Sequence, residues 1–364
     1  MEQYILPSVV KRGLHRLVAG SKGFGNLLPS RAVFYLGEST QSKKLFDIAN
    51  LLSSELKIPL TQNLLEKIAD IHSASFYLLN EPQHSCEEYL WGYKATKNVF
   101  LRGIFSALAF AELEFCERDL PQNSHEERLT GHLLSKMYSS VTFCADALTT
   151  FSKEIYGLEI PINIAYHDLS ANGREKVTGS DFGIIVHTNL PGESERVTAV
   201  AFQAKKLYKT TAYLPADQAI AQIQHFEHGA YTCLYDVGTE GVQLPPAILK
   251  TTDAQDFKKT SHAHAIHRDK LPSSTMALSL FLIQMIQNNV DAYEFSTIMQ
   301  AGNFMKGTPD SRENFNVSRV MTLSIGAPSY RQEMDDLTKI FPPDNSSEEE
   351  NRDDNQGRRG FNFL

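Results

Sequence analysis

The sequence predicts an α/β protein of the α+β kind, with a mixed β-sheet core flanked by helices and an N-terminal helical module. Three observations carry this reading. Apolar residues recur at helical spacing up to about residue 120, short β-rich runs replace them beyond 160, and one helical segment falls between two of those runs.

Taken in order, Leu45, Ile48, Leu52 and Leu56 make one helical stripe. Leu64, Ile68 and Ile71 begin a second, and Leu101, Ile104, Leu108 and Leu113 form a third. Residues 1–120 are therefore assigned to the helical module. The segment CERDLPQNSHEERLTGHLLSKMY gives a Pro-Gln-Asn-Ser loop, then acidic residues and an apolar helix. That helix start sets a domain boundary near 120. Strands are expected at 162–169, 181–188, 196–205 and 230–237. Between the last two, Ile220, Ile223 and Phe226 recur at helical spacing, so a helix crosses between strands. An apolar helix at about 274–290 is expected to pack on the sheet, completing a second domain over 121–335. Residues 336–364 read as an acidic, disordered tail with nothing to bury until Phe361, Phe363 and Leu364.

Composition bounds the function classes. The chain of 364 residues is long enough for two or three domains at roughly 100–200 residues each. Its 42% hydrophobic and 21% charged content excludes collagen-like, mainly disordered and coiled-coil classes. A formal charge of -8 argues against coating nucleic acid by bulk charge but leaves room for a local basic groove. The most apolar stretch, Leu278 to Ile286, is far shorter than the roughly 20 residues that cross a bilayer. The opening residues lack the ordered regions of a secretory signal, so a cytoplasmic location with no membrane partner is expected. Cys86, Cys116, Cys144 and Cys233 are scattered without a CxxC pair, which favours reduced core thiols.

The chemistry concentrates in TGSDFGIIV (178–186) and VTAVAFQAKK (197–206), which read as neighbouring strands. The second is apolar from Val197 to Phe202, as in a doubly covered central strand. Gln203 and Lys205 then emerge on one face, with Ala204 on the other. Metal-dependent phosphodiester cleavage would account for them, because a hard divalent cation takes oxygen ligands and the scissile phosphate needs neutralising. Asp181 can hold such a cation, Gln203 offers a neutral oxygen, and Lys205 can orient or deprotonate an attacking water. A further carboxylate is required. Glu126 lies in line with Leu129, Leu133 and Met137 on the core stripe of its helix and is preferred. Glu127, which shares a face with Thr130, Leu134 and Tyr138, is the near alternative, and Glu175 is a third candidate.

This ordered set, a helix acid followed by GSDFGIIV and FQAKK, resembles the PD-(D/E)xK or restriction-endonuclease-like nuclease superfamily. In that family a helix carries an acid, the next strand begins with the metal-binding Asp, and the following strand ends in acid-x-Lys. Gln203 stands here where an acid is usual, as in the Gln-x-Lys nucleases of bacterial anti-phage defence. The resemblance covers roughly residues 120 to 290. It implies a restriction-endonuclease-like core, Mg²⁺ or Mn²⁺ held by Asp181, Gln203 and Glu126, and hydrolysis of nucleic acid, DNA rather than RNA. QIQHFEHGAYTCLY also looks like a shared segment and makes Gln222 a candidate active-site neighbour. Lys206 and Lys209 are candidate phosphate contacts beside the site.

Other motifs take plainer readings. His262, His264 and His267 are expected in a polar loop rather than a zinc site, and GSKGFG (20–25) reads as a flexible turn. Two functions follow from different classes. One is a Mg²⁺-dependent endonuclease, with a regulatory or sensor protein as partner and a homo-oligomer as an open option. The other is a catalytically inactive nuclease-fold subunit that binds nucleic acid or a partner protein, a reading that Gln203 favours because a neutral ligand weakens cation binding.

Overall fold

The computed structural model describes residues 96–168, 179–208, 210–237, 245–256, 258–259, 262–268, 271–306, 317–326 and 340. The stripes at 45–56 and 64–71, the GSKGFG turn, Cys86 and the tail apart from Ile340 lie outside them; Ile340 is buried in an apolar cluster with Ile298 and Val320, where a disordered tail was expected. In chain order the main elements are α1 (Val99–Arg118), α2 (Glu126–Tyr156), β1 (Ile162–Asp168), β2 (Phe182–Thr188) and β3 (Arg196–Leu207). They continue with β4 (Thr211–Pro215), α3 (Ala216–Phe226), β5 (Ala230–Asp236), β6 (Ala247–Lys250), β7 (Lys258–Lys259) and β8 (Ala263–His267). The last are β9 (Met276–Ala277), α4 (Leu278–Ile286), β10 (Tyr293–Phe295), α5 (Ile298–Lys306) and β11 (Arg319–Ile325).

The architecture is mixed α/β. The main sheet runs β1-β11-β2-β3-β5-β6-β9, with β10 added to β3, and β4-β8-β7 form a small second sheet. Both parallel pairs, β11 with β2 and β3 with β5, are buried, as parallel sheets require. All seven residues of β2 are buried, which is why that strand reads as a continuous apolar run. The crossover from β3 to parallel β5 is made by α3, in the place expected from Ile220, Ile223 and Phe226.

Helix α1 starts at Asn98, whose Oδ1 accepts the N–H groups of Phe100 and Leu101. Its Phe100, Phe105 and Phe115 are fully buried with Leu129, Leu133 and Met137 of α2 and with β2 and β3 residues in one core. Burial of each such side chain contributes about 1.5–3 kcal/mol. The packed unit thus extends back across the boundary expected near 120. Helix α4 also belongs to this core and is shorter than the 274–290 read from the sequence. His264 and His267 sit on strand β8, with His262 just before it, where a polar loop was expected; Leu214 and Ile266 bury one face of that small sheet. Cys116, Cys144 and Cys233 are buried thiols in no disulfide. No helix among the described residues is long and apolar enough to cross a membrane.

The two faces of β3 differ. On one, Val200, Phe202 and Ala204 run uninterrupted into the α1–α2 core. On the other, Ala199 and Ala201 belong to one apolar cluster and Leu207 to a second, with Gln203 and Lys205 between. Strand β5 repeats this order: Ala230 lies in the first cluster, Leu234 in the second, and Thr232 between them opposite Gln203. A polar belt therefore separates two apolar clusters on one face of the sheet.

Candidate active site

Strand β3 outlasts its partner. Its antiparallel pairing with β2 ends at Phe202 and Phe182, while its other edge stays paired with β5 as far as Leu207. Beyond Phe202 the N–H groups on the β2 side need other acceptors, because an unpaired buried donor is costly. Side chains supply them. Asp181, just before β2, accepts the Ala204 N–H through Oδ2, and Glu126 accepts the Lys206 N–H through Oε1 at 2.9 Å. Successive N–H groups on one side of a strand are about 6.6 Å apart. The two carboxylates therefore occupy adjacent places on one strand edge.

Gln203, directly before Ala204 on the strand, is buried at 3% exposure. Its Nε2 donates to Asp181 Oδ2 at 2.7 Å, while its Oε1 is buried without a hydrogen-bond partner. Lys205 Nζ stands 3.7 Å from Glu126 Oε2. The sequence-derived quartet Asp181, Gln203, Lys205 and Glu126 is thus gathered at one strand end.

The main chain beneath Asp181 is held on both sides. Its N–H donates to the Phe202 carbonyl at 2.7 Å. Its carbonyl accepts both the N–H and the hydroxyl of Ser318, at the entry to β11. Gly179, at φ 68°, is needed for the approach: a Cβ there would stand 2.4 Å from the Gln218 carbonyl oxygen in α3.

Other expected residues have different surroundings. Glu127 turns away from β3 and pairs with Arg319, Nη2 to Oε1 at 3.3 Å. Lys206 is not an exposed phosphate contact. It is 7% exposed, and its ammonium donates to Asn123 Oδ1 and the Ser124 carbonyl at 3.2 and 3.1 Å, clamping the loop that leads into Glu126. Asn123 adopts a left-handed conformation at φ 48°, one that Asn tolerates well. Gln222 is fully buried and bonded within the sheet, with Nε2 on the carbonyls of Ala201 and Tyr231 and Oε1 accepting from Thr251. Thr251 also bonds Thr232, so these three side chains form the rear of the polar belt. Glu175 and Lys209 lie outside the described residues.

Sequence reasoning missed Asn123, Thr232, Thr251, Ser318 and Arg319. The run RVMTLSI, bounded by Ser318 and Gly326, carries a strand signal of its own that locates the last two.

The donor set suits a hard cation: two carboxylates and a buried amide oxygen that lacks a partner. Among the described residues no group of three or more His, Cys, Asp or Glu side chains is assembled for a metal. A cation at this edge would therefore need the Gln203 oxygen as a third protein ligand. No protein-family model, curated protein or solved structure matches the chain.

Proposed function

We propose that the protein is a metal-dependent nuclease with a restriction-endonuclease-like core, acting on DNA in preference to RNA as an effector of anti-phage defence. The observation that carries this reading is the placing of Asp181 and Glu126 on alternate N–H groups of one open strand edge, with the unpartnered Gln203 oxygen in the same segment. The order of elements supports it: an acid-bearing helix, an Asp just before β2, Gln-x-Lys near the end of β3, and a Gln-bearing helix leading into parallel β5. Strand β1 intervenes between the helix and the Asp strand, and pairs with β11.

Asp181, Glu126 and the Gln203 carbonyl oxygen would hold Mg²⁺ or Mn²⁺. The cation, when bound, supplies charge neutralisation at the scissile phosphate and acidifies water. Lys205 stands beside Glu126 to orient the attacking water, to take its proton, or to balance negative charge developing on phosphate. Burial of Asp181 and Gln203 strengthens every electrostatic interaction there. A regulatory or sensor protein would restrain the activity in the cell.

The test is cleavage of plasmid DNA, single-stranded DNA and RNA with Mg²⁺ or Mn²⁺, comparing wild type with Asp181→Ala and Lys205→Ala at matched folding. Metal-dependent cutting lost in both variants supports the reading.

One observation favours a second reading, a catalytically inactive subunit that binds nucleic acid or a protein. The Gln203 amide already satisfies Asp181 without a cation. On that reading wild type cuts nothing, and metal gives no thermal stabilisation that depends on Asp181.

A further inference from the structure

The proposed chemistry leaves unused a buried guanidinium at the same end of the sheet. Arg319 opens β11, in register with Phe182 of β2 on one side and Asp168 of β1 on the other. Its side chain is 7% exposed. Burial opposes its charge, but Asp168, Tyr166 and Glu127 outweigh that and leave its pKa raised. The Nε stands 3.4 Å from Asp168 Oδ2 and Nη2 3.3 Å from Glu127 Oε1. A Cβ built on Gly131, one turn after Glu127, would lie 3.6 Å from Nε, so the group sits beneath the first turns of α2.

As a stabilising ion pair this contact is modest, because Glu127 is 56% exposed and screened by solvent. Its consequence is geometric. Adjacent residues of a helix point about 100° apart. With Glu127 held toward β11, Glu126 is directed to the edge of β3, where it meets Lys206. The preceding residue, Ser318, binds the carbonyl of Asp181. One dipeptide therefore supports both acids of the site.

We propose that Arg319 is a positioning residue: acting through Glu127, it fixes the first turn of α2 so that Glu126 remains on the Lys206 N–H, at its set separation from Asp181. The consequence for cation binding rests on the nuclease reading; the placing of Glu126 does not.

The experiment measures two quantities in full-length wild type, Arg319→Gln, Glu127→Gln, the double variant and Arg319→Lys. The first is hydrogen exchange of the Lys206 amide without metal. The second is Mn²⁺ affinity, read as loss of the free-ion paramagnetic signal. Exchange at Lys206 should quicken about tenfold in either Gln variant, as a charge-assisted hydrogen bond loosens, with amides at 197–202 unchanged. The double variant should be no faster than either single one, and Arg319→Lys should recover part of the protection. Mn²⁺ affinity should fall about tenfold, as when a ligand loses its orienting partner. Glu127 is exposed, so Glu127→Gln serves if Arg319→Gln does not fold. Unchanged Lys206 exchange in folded Glu127→Gln overturns the proposal. A quickened exchange, with no Asp181-dependent Mn²⁺ binding in wild type, overturns the metal site and leaves the positioning role standing.

Discussion

Gln203 donates its side-chain amide to the carboxylate of Asp181 across the ends of two antiparallel strands, so the neutral residue stabilises the acid beside it. An acid at 203 would do the reverse. Two carboxylates in hydrogen-bond contact cannot both ionise cheaply, whereas a divalent cation between them offsets that repulsion. Gln203→Glu should therefore melt below wild type without metal, with the gap widening as pH rises through carboxylate ionisation. Saturating Mn²⁺ should close or reverse it. Thermal melts with and without Mn²⁺ check this, and a metal-independent loss of stability would contradict it.

Gln222 makes a sharper stability test. Its amide reaches the carbonyls of Ala201 and Tyr231 and accepts from Thr251, all in the interior. Gln222→Leu strands these groups, at about 1–3 kcal/mol for each left unpaired. Denaturant midpoints should drop accordingly, by more than for Thr251→Val, which removes a single hydroxyl.

Glu112 predicts an unusual pH dependence. It is fully buried in α1, and its Oε1 accepts the Ser279 N–H at 2.8 Å in the first turn of α4. Burial pushes its carboxyl up to about 8, against the lowering effect of the Ser279 contacts. The folded state thus holds a proton that the unfolded chain releases in the ordinary carboxylate range. This contribution is complete in acid, declines as pH rises through that range, and is gone above about 8. Glu112→Gln keeps an acceptor for Ser279 and removes the slope. The variant should match wild type in acid and exceed it near pH 9 by a margin on the order of a few kcal/mol. Parallel curves across that range would refute the assignment.

The parts of this molecule written in local pattern were legible in the sequence. The apolar runs at 181–188 and 196–205, each ending against polar residues, located β2 and β3, and helical spacing located α3. Pattern alone could not locate β11 between β1 and β2, because that pairing joins segments more than 100 residues apart and leaves no local period. The RVMTLSI run marks Arg319 as a strand residue, but its meeting with Glu127 and Asp168 was invisible for the same reason. Helical spacing preferred Glu126 to its neighbour Glu127, and their separate partners, Lys206 and Arg319, distinguish them in the fold. Strand alternation puts Lys206 opposite Lys205, but only the loop at Asn123 and Ser124 accounts for its burial.

The polar belt across β3 and β5 makes heat resistance and chemistry competing demands on the same positions. Apolar side chains at Gln203 and Thr232 would join the two clusters now held apart while Asp181 still pairs the Ala204 N–H, and buried polar networks replaced by well-packed apolar ones often gain stability. A library of this protein sorted by survival at high temperature alone should drift toward such replacements, yielding a sturdier and inert descendant. Retention of those two residues in a sorted population would then report selection for what the site does.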